Sequence, residues 1–395
     1  MYVTRPLSLL RRSPELLTLQ PQEGPNSGYL VLFDEECETT TCFGLCKDRS
    51  IRSLPFPQDK DLTVCYSTGV GDGRRTYYDD VVFIPTLDQP LSSNRYYVIR
   101  RQGKHIGEAS ASSKEEEMGT CCFCTYVNDV KPRPLDPLDN NQQFQIDHKK
   151  HRGFTAVSVT PDAFPPLFLR RKYWQVYMRS TRHYQLDEAL GLDSSLRARL
   201  PELNFSPSNT SSETVVVGKW YCPFVFVKEG YGKRKEQMKR STFYVVTLEQ
   251  RWDKIFECEN GENSDGKVVY VDVLVEREKA CVDEKEAVCD WGHVDNGVKW
   301  FKSAQNGEGE ALRLLGLSVL VAERMRWEQE RVECRIDEIE RQVRVKRTEE
   351  FEGNGEWRKF GCYVLVERFV FKRMDGSVLL THDFKHISQI RCIWE

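Results

Sequence analysis

Short runs of β-branched and aromatic residues, set apart by Gly, Pro, Asn and Ser, constrain this chain more than any other feature. In the first half they fall at Gly28–Phe33, Asp61–Ser67, Val81–Ile84, Arg95–Arg100 and Cys122–Val130. In the second half they fall at 215–217, 224–227, 268–277, 317–327, 342–349, 361–373 and 377–384. Such runs pack on a pleated, half-buried surface and read as strands. Met374-Asp375-Gly376-Ser377, between the last two, predicts a tight hairpin. Helical spacing is scarce. Leu186, Leu190 and Leu196 predict a helix over 186–200 that Pro201 ends. Leu248, Trp252, Ile255 and Phe256 predict another over 247–257, with Thr247 as its cap. Residues 322–345 fit two patterns, a heptad through Val332, Ile336, Ile339 and Val343 or a strand, turn and strand; alternation on both flanks favours the second. The expected fold class is α+β, mainly β, with antiparallel sheets and few short helices.

A chain of 395 residues is long enough for two domains. Polar, Ser-rich 204–213 with Pro207 predicts a linker between an N-terminal β-rich domain, 1–203, and a C-terminal antiparallel sheet domain, 214–395. Pro6, Pro14, Pro21 and Pro25 predict an extended Pro-rich arm over 1–27. The net charge of −3, from 57 Lys and Arg against 60 Asp and Glu, argues against a generally basic surface. The mean hydropathy of −0.56 is that of a soluble globular chain. No apolar run reaches the ~18 residues that a membrane helix needs, and Arg11 and Arg12 break the only early apolar stretch, so no leader is expected. Tyr2 rules out myristoylation and the C-terminal CIWE is not a prenylation box.

Fourteen cysteines include several in apolar runs, such as Cys65, Cys222 and Cys362, where a reduced thiol behaves as a small hydrophobe. Reduced, structural thiols place the protein in the cytoplasm or nucleus. The metal candidates are Cys42 and Cys46 with Cys121 and Cys124, and His382 with His386; no metal and no other cofactor is expected. The two cysteine pairs are too far apart in sequence for a zinc ribbon. His382-Asp-Phe-Lys-His386 echoes H-E-x-x-H, but that motif needs a helix, and the preceding Val378-Leu379-Leu380 reads as a strand. Two imidazoles four residues apart on a strand start ~13 Å apart, too far for one ion. These two histidines therefore read as a solvated strand end. Gly69-Val70-Gly71-Asp72-Gly73 lacks the Lys-Ser/Thr of a phosphate loop and reads as a hairpin tip. Two basic clusters, Arg170-Arg171-Lys172 beside Tyr173 and Trp174, and Lys233-Arg234-Lys235 with Lys239 and Arg240, read as a solvated strand end and loop. The acidic net charge makes nucleic acid an unfavoured partner.

Several blocks carry a resemblance. MYVTRPLSL at 1–9, GPNSGYLVLFDEE at 24–36, TTCFGLCKD at 40–48, FIPTLDQPLSSNRYYVI at 83–99 and CCFCTYVNDVKPRPLDP at 121–137 are joined by VVVGKWYCPFVFVKEG at 215–230, TLEQRWDKIFECEN at 247–260 and the segment 360–386. The sequence resembles the plant uncharacterised family called domain of unknown function twelve-sixty-two. The resemblance implies a soluble intracellular protein of land plants and carries no activity, cofactor or catalytic residue with it. Taken together, the expected function is a non-enzymatic intracellular protein that binds a protein partner or a small ligand. The alternatives are an enzyme whose catalytic residues no motif reveals and, third, a nucleic-acid-binding or membrane-active β protein. Glu276, Arg277, Glu323 and Arg324 would burden any lipid-facing strand.

Overall fold

A computed structural model describes all residues except 42–45, 70–72, 122–123, 151, 182, 231, 262–263, 304–311 and 333–340. Strand makes up 48% of the chain and helix 16%, so the protein is mainly β, as expected. Two compact units each draw on two stretches of sequence: Met1–Leu190 with Trp220–Tyr244, and Gly191–Lys219 with Val245–Glu395. A single boundary at 204–213 is therefore corrected: that segment lies inside the second unit.

The first unit is centred on a seven-stranded sheet in the order Gly153–Ser158, Gln143–Lys149, Arg95–Arg100, Arg75–Pro85, Asp61–Thr68, Gln175–Arg179 and Ser50–Ile51. All its pairings are antiparallel. Alternation is clean in Gln143–Lys149, where Phe144 and Ile146 point to the core. The sheet curls until a bridge between Phe154 and Trp174 brings its first strand to the segment leading into Gln175–Arg179. Inside lie Phe56, Phe83, Phe154 and Trp174, the last stacked on Phe83 at 6.1 Å and 6°. The first 27 residues are not an extended arm. Tyr2–Pro6 is a strand, parallel to Gly28–Leu32, and a helix follows at Leu7–Arg12. Met1, Tyr2 and Val3 are buried, and Tyr2 donates to the Pro85 carbonyl at 2.7 Å. The prolines cap and bound these elements without preventing them.

One turn in this unit depends on glycine. Gly153 sits at φ +121, and a Cβ there would meet the Trp174 carbonyl oxygen at 2.5 Å. That oxygen accepts the Phe154 N–H at 2.8 Å. Gly153→Ala should therefore destabilise the first unit by at least about 1–3 kcal/mol, the cost of such a backbone conformation for a residue with a Cβ. The check is the shift of the denaturation midpoint.

The second unit has a long sheet ordered Leu314–Ser318, Val298–Ser303, Lys285–Cys289, Glu278–Val282, Val378–Trp394, Lys359–Arg373 and the strand that ends at Glu259. A three-stranded sheet, Ser264–Asp265, Val268–Glu276 and Gln342–Glu350, completes it. Asp375 accepts from the Ser377 N–H in the expected turn between the two longest neighbours. Two expectations fail. Residues 247–257 belong to the strand Phe243–Glu259 rather than to a helix. Leu248 and Trp252 are an even number apart, so they share a face in either conformation. Burial of Val246, Leu248, Gln250 and Trp252 shows the period of two. Conversely, Val319–Glu330 is a helix where a strand was expected through 327. Its buried stripe is Val321, Ala322, Met325, Glu328 and Gln329 with Arg324, so half of it is polar. The remainder of 322–345 lies partly outside the described residues. The helix expected over 186–200 shrinks to Ser194–Arg199, capped by the Asp193 carboxylate on the Leu196 N–H.

Segment 204–213 is a strap of the second unit. Tyr363 donates to the carbonyls of Pro207 and Asn209, Ser212 and Trp252 exchange hydrogen bonds, and Phe205 meets Tyr363 edge-on at 5.1 Å. Its polar side chains satisfy neighbouring backbone, which composition alone does not separate from a linker.

Candidate functional site

Three constellations stand out, one in the first unit and two in the second. In the first unit a cavity of about 820 Å³ opens where the ends of the curled sheet meet. Three stretches build it. The first runs up to the edge strand Ser50–Ile51, the second turns from Gln143–Lys149 into Gly153–Ser158, and the third opens Gln175–Arg179. Register holds them together: Val176 pairs with Ile51, and Phe154 bridges Trp174. Ile51, Phe154 and Val176 are buried apolar residues of its floor, with Tyr177 beside them.

Its rim is basic. Lys47, Arg49, Arg52, Lys150 and Arg152 line it, with Asp48 as the only carboxylate among the lining residues. Elsewhere in the chain acidic residues outnumber basic ones, so this local balance of five to one departs from the whole. Lys47 is engaged by Glu38 at 2.6 Å and Arg52 by Asp48 at 2.8 Å. Arg152 lies over the Tyr173 ring in cation–π range, its guanidinium carbon 5.5 Å from the centroid. Arg49 and Lys150 have no side-chain partner among the described residues. Two cations without a side-chain partner among the described residues, over an apolar floor, leave room for an anion carrying an apolar or ring portion.

In the second unit His382 and His386 share one face of the strand Val378–Trp394, and both are buried, not solvated. Each meets a different carboxylate. His382 Nε2 is 2.5 Å from Glu278 Oε1, and Trp291 Nε1 donates to the same oxygen at 2.8 Å while stacking on the imidazole at 5.8 Å. Burial raises the Glu278 pKa, but these hydrogen bonds outweigh it and hold the carboxyl below its ordinary range. His382 Nδ1 is buried without a partner among the described residues. Glu278, His382, Trp291 and Cys289 line a cavity of about 160 Å³. Burial and the Glu278 carboxylate push the Cys289 thiol up to about 12, so it is a neutral thiol and a poor nucleophile near pH 7.

His386 Nε2 lies 3.7 Å from Glu367 Oε2, at the edge of a buried polar cluster. Arg197, from the short helix, grips Glu367 through Nε at 2.8 Å and Nη2 at 2.5 Å. The same guanidinium reaches Glu328 Oε2 at 2.9 Å and the Glu328 carbonyl at 3.0 Å. Gln250 and Gln329 each donate to Glu367 at 2.9 Å, and Arg324 pairs with Glu328 at 2.5 Å. Burial would raise the Glu367 pKa; His386 and Arg197 overcome it and hold the carboxyl far below its ordinary range. Arg197, Arg324, Glu328 and Glu367 balance in charge, and every carboxylate oxygen is engaged, so the cluster reads as architecture.

Among the metal candidates, Cys46 is exposed, Cys42 lies outside the described residues, and so do the side chains of Cys121 and Cys124. The backbone pairs Cys121 with Cys124 across a hairpin. Of the basic clusters, Trp174 is core, with Nε1 on the Leu169 carbonyl, and Arg234 opens a helix, Arg234–Arg240, and donates to the Phe224 carbonyl. Neither forms an aromatic platform for bases. The cavity in the first unit escaped sequence reading because its cations come from two stretches about a hundred residues apart, Lys47, Arg49 and Arg52 from one and Lys150 and Arg152 from the other.

Comparisons with known proteins bear on the first unit. Residues 23–123 match the family model described as "Protein of unknown function (DUF1262)". The matched stretch supplies Lys47, Arg49 and Arg52 of the cavity rim. No curated protein matches the chain. Among solved structures the chain is similar to the crystal structure of Cry35Ab1, with 11% identity and a TM-score of 0.46 over 86% of this chain and 90% of that one. Among the described residues no helix is long and apolar enough to cross a membrane.

Proposed function

We propose that the protein is a non-enzymatic ligand-binding protein of the cytoplasm or nucleus, and that the basic cavity of the first unit takes a small organic anion. The observation that carries this reading is the pair Arg49 and Lys150, without a side-chain partner among the described residues, over the apolar floor of Ile51, Phe154 and Val176. A phosphate, sulfate or carboxylate would sit at the rim, and an apolar or ring portion would cover the floor. Attraction of an anion to exposed guanidinium and ammonium groups is screened by salt, so affinity should fall as ionic strength rises. A thermal-shift survey of the full chain tests the reading with matched pairs of anionic and uncharged ring compounds. The anionic member of each responding pair should raise the midpoint, and the rise should shrink between 50 and 500 mM salt, roughly as a Debye length falling from about 14 to 4 Å requires. Equal response to both members, or none to any anion, would contradict it.

An enzyme is the second reading, favoured by one observation: the Glu278–His382 pair at the small cavity of the second unit, with Nδ1 of the imidazole buried and without a partner among the described residues. A carboxylate-oriented imidazole is the general-base half of a hydrolytic site. The neutral Cys289 thiol weighs against it, since it is the cysteine that lines the cavity and its thiolate is disfavoured.

A further inference from the structure

We propose that Cys362 and Cys392 form a redox-active dithiol that closes to a disulfide across the strand pair Lys359–Arg373 and Val378–Trp394. The two residues are direct cross-strand partners in the antiparallel register, between Gly361 opposite Ile393 and Tyr363 opposite Arg391. Directly opposed residues have Cβ atoms about 4.5–5.5 Å apart and Cα atoms about 4.5–5.5 Å apart. The Cα separation is already within the disulfide range, and a small approach of the Cβ atoms completes it. Both are free thiols, Cys362 buried and Cys392 half-buried, so a reagent reaches the pair from the Cys392 side. The thiols interact: the contact lowers Cys362 and raises Cys392, as expected when one proton is shared between two sulfurs. Arg347 favours the thiolate of both and Glu349 opposes it.

The oxidant is a low-molecular-weight disulfide. The Cys362 sulfur takes the shared proton, which frees Cys392, the sulfur that a reagent reaches, to attack one sulfur of the oxidant; the first small thiol leaves with that proton and Cys362 returns to its thiolate. The Cys362 thiolate then attacks the Cys392 sulfur and expels the second small thiol. Two protein thiols become one S–S bond, and one small disulfide becomes two thiols, so electrons and protons balance. Drawing the Cβ atoms from about 4.5–5.5 Å to the roughly 3.5–4.5 Å of a disulfide strains the bond, and strained disulfides are the readily reduced ones, which makes this a reversible staple rather than a permanent one. Its place gives it a consequence. The strand pair is closed at one end by the turn at Asp375, and the dithiol lies toward the other, open end. Glu367, His382 and His386 all stand between them, so oxidation would lock the hairpin that carries the polar centres of the second unit.

The test uses the full chain with reduced or oxidised glutathione, followed by alkylation and peptide mapping. Oxidation should produce a peptide joining Cys362 to Cys392, about two daltons lighter than the sum of its thiol parts, and dithiothreitol should reverse it. It should also raise the denaturation midpoint of the wild type but not that of Cys392→Ser or Cys362→Ala, each first shown by dichroism to be folded. Cys362 and Cys392 both recovered as alkylated thiols after oxidised glutathione has modified Cys46 would overturn the proposal. So would a bridge joining Cys362 to Cys258, which lies in the same apolar cluster.

Discussion

Replacing Arg197 with methionine should destabilise the second unit by about 3–5 kcal/mol, the usual cost of removing one partner of a buried ion pair. Arg197 is 6% exposed, and its guanidinium pairs with both Glu328 and Glu367, which are 0% and 1% exposed. Without it, Arg324 still faces Glu328, but Glu367 keeps only two amide donors and His386. The attraction in the native cluster offsets a large desolvation cost, so the loss falls almost wholly on the uncompensated carboxylate. Arg197→Met combined with Glu367→Leu should therefore cost clearly less than the sum of the two single replacements. Urea denaturation of the four proteins measures this, and additive costs would show that Glu367 does not depend on Arg197. The pH dependence has the same origin. Glu367 binds its proton more weakly when folded than the ordinary glutamate value of 4.5. The stability it contributes is thus complete above that value and is lost as pH falls below it. In Glu367→Gln this acid-linked loss should shrink.

Trp174→Ala should remove about 3–5 kcal/mol from the first unit, the range for deleting a buried indole. Trp174 is 1% exposed, stacks on Phe83, and touches Phe56 and Phe154 at centroid distances of 6.3 and 5.3 Å. Its Nε1 donates to the Leu169 carbonyl at 3.1 Å, so the replacement also leaves a buried acceptor unmet. The effect should reach the cavity, because Phe154 in its floor packs on the indole and hydrogen-bonds to the Trp174 carbonyl. Trp174→Phe, which keeps the ring contacts and loses the donor, should cost less. Denaturation followed by tryptophan-independent dichroism separates the two.

How far such features were legible in the sequence depends on whether their determinants are local. The hairpin at Met374–Ser377 was, because an Asp-Gly turn between two apolar runs needs no distant partner. The strand character of Gln143–Lys149 was available in its alternation but was not singled out. The helix Val319–Glu330 was not legible, because Arg324, Glu328 and Gln329 lie on its buried face, and a pattern reading assigns charged residues to solvent. The strand through Trp252 was misread because spacings of four satisfy both periods. The burial of His382 and His386 was missed for a related reason: their partners Glu278 and Glu367 come from other strands, and only the sheet order brings them together. Cys362 and Cys392 are opposed only because the hairpin register places them so, 30 residues apart in sequence. The basic cavity is the extreme case, since neither Arg49 nor Lys150 is unusual until the curled sheet sets them on one rim.

Calorimetric titration of the full chain with inorganic pyrophosphate, at low salt, tests the ligand-binding account most directly. The wild type should bind at one site per chain. Arg49→Ala with Lys150→Ala, both exposed positions whose loss leaves the core intact, should weaken binding at least about tenfold, which corresponds to about 1.4 kcal/mol. Charge removal at the other basic clusters, Arg171→Ala with Lys172→Ala, should leave it unchanged. Unchanged binding in the Arg49 and Lys150 variant, or equal weakening in both variants, would contradict the placement of the anion site in the first unit.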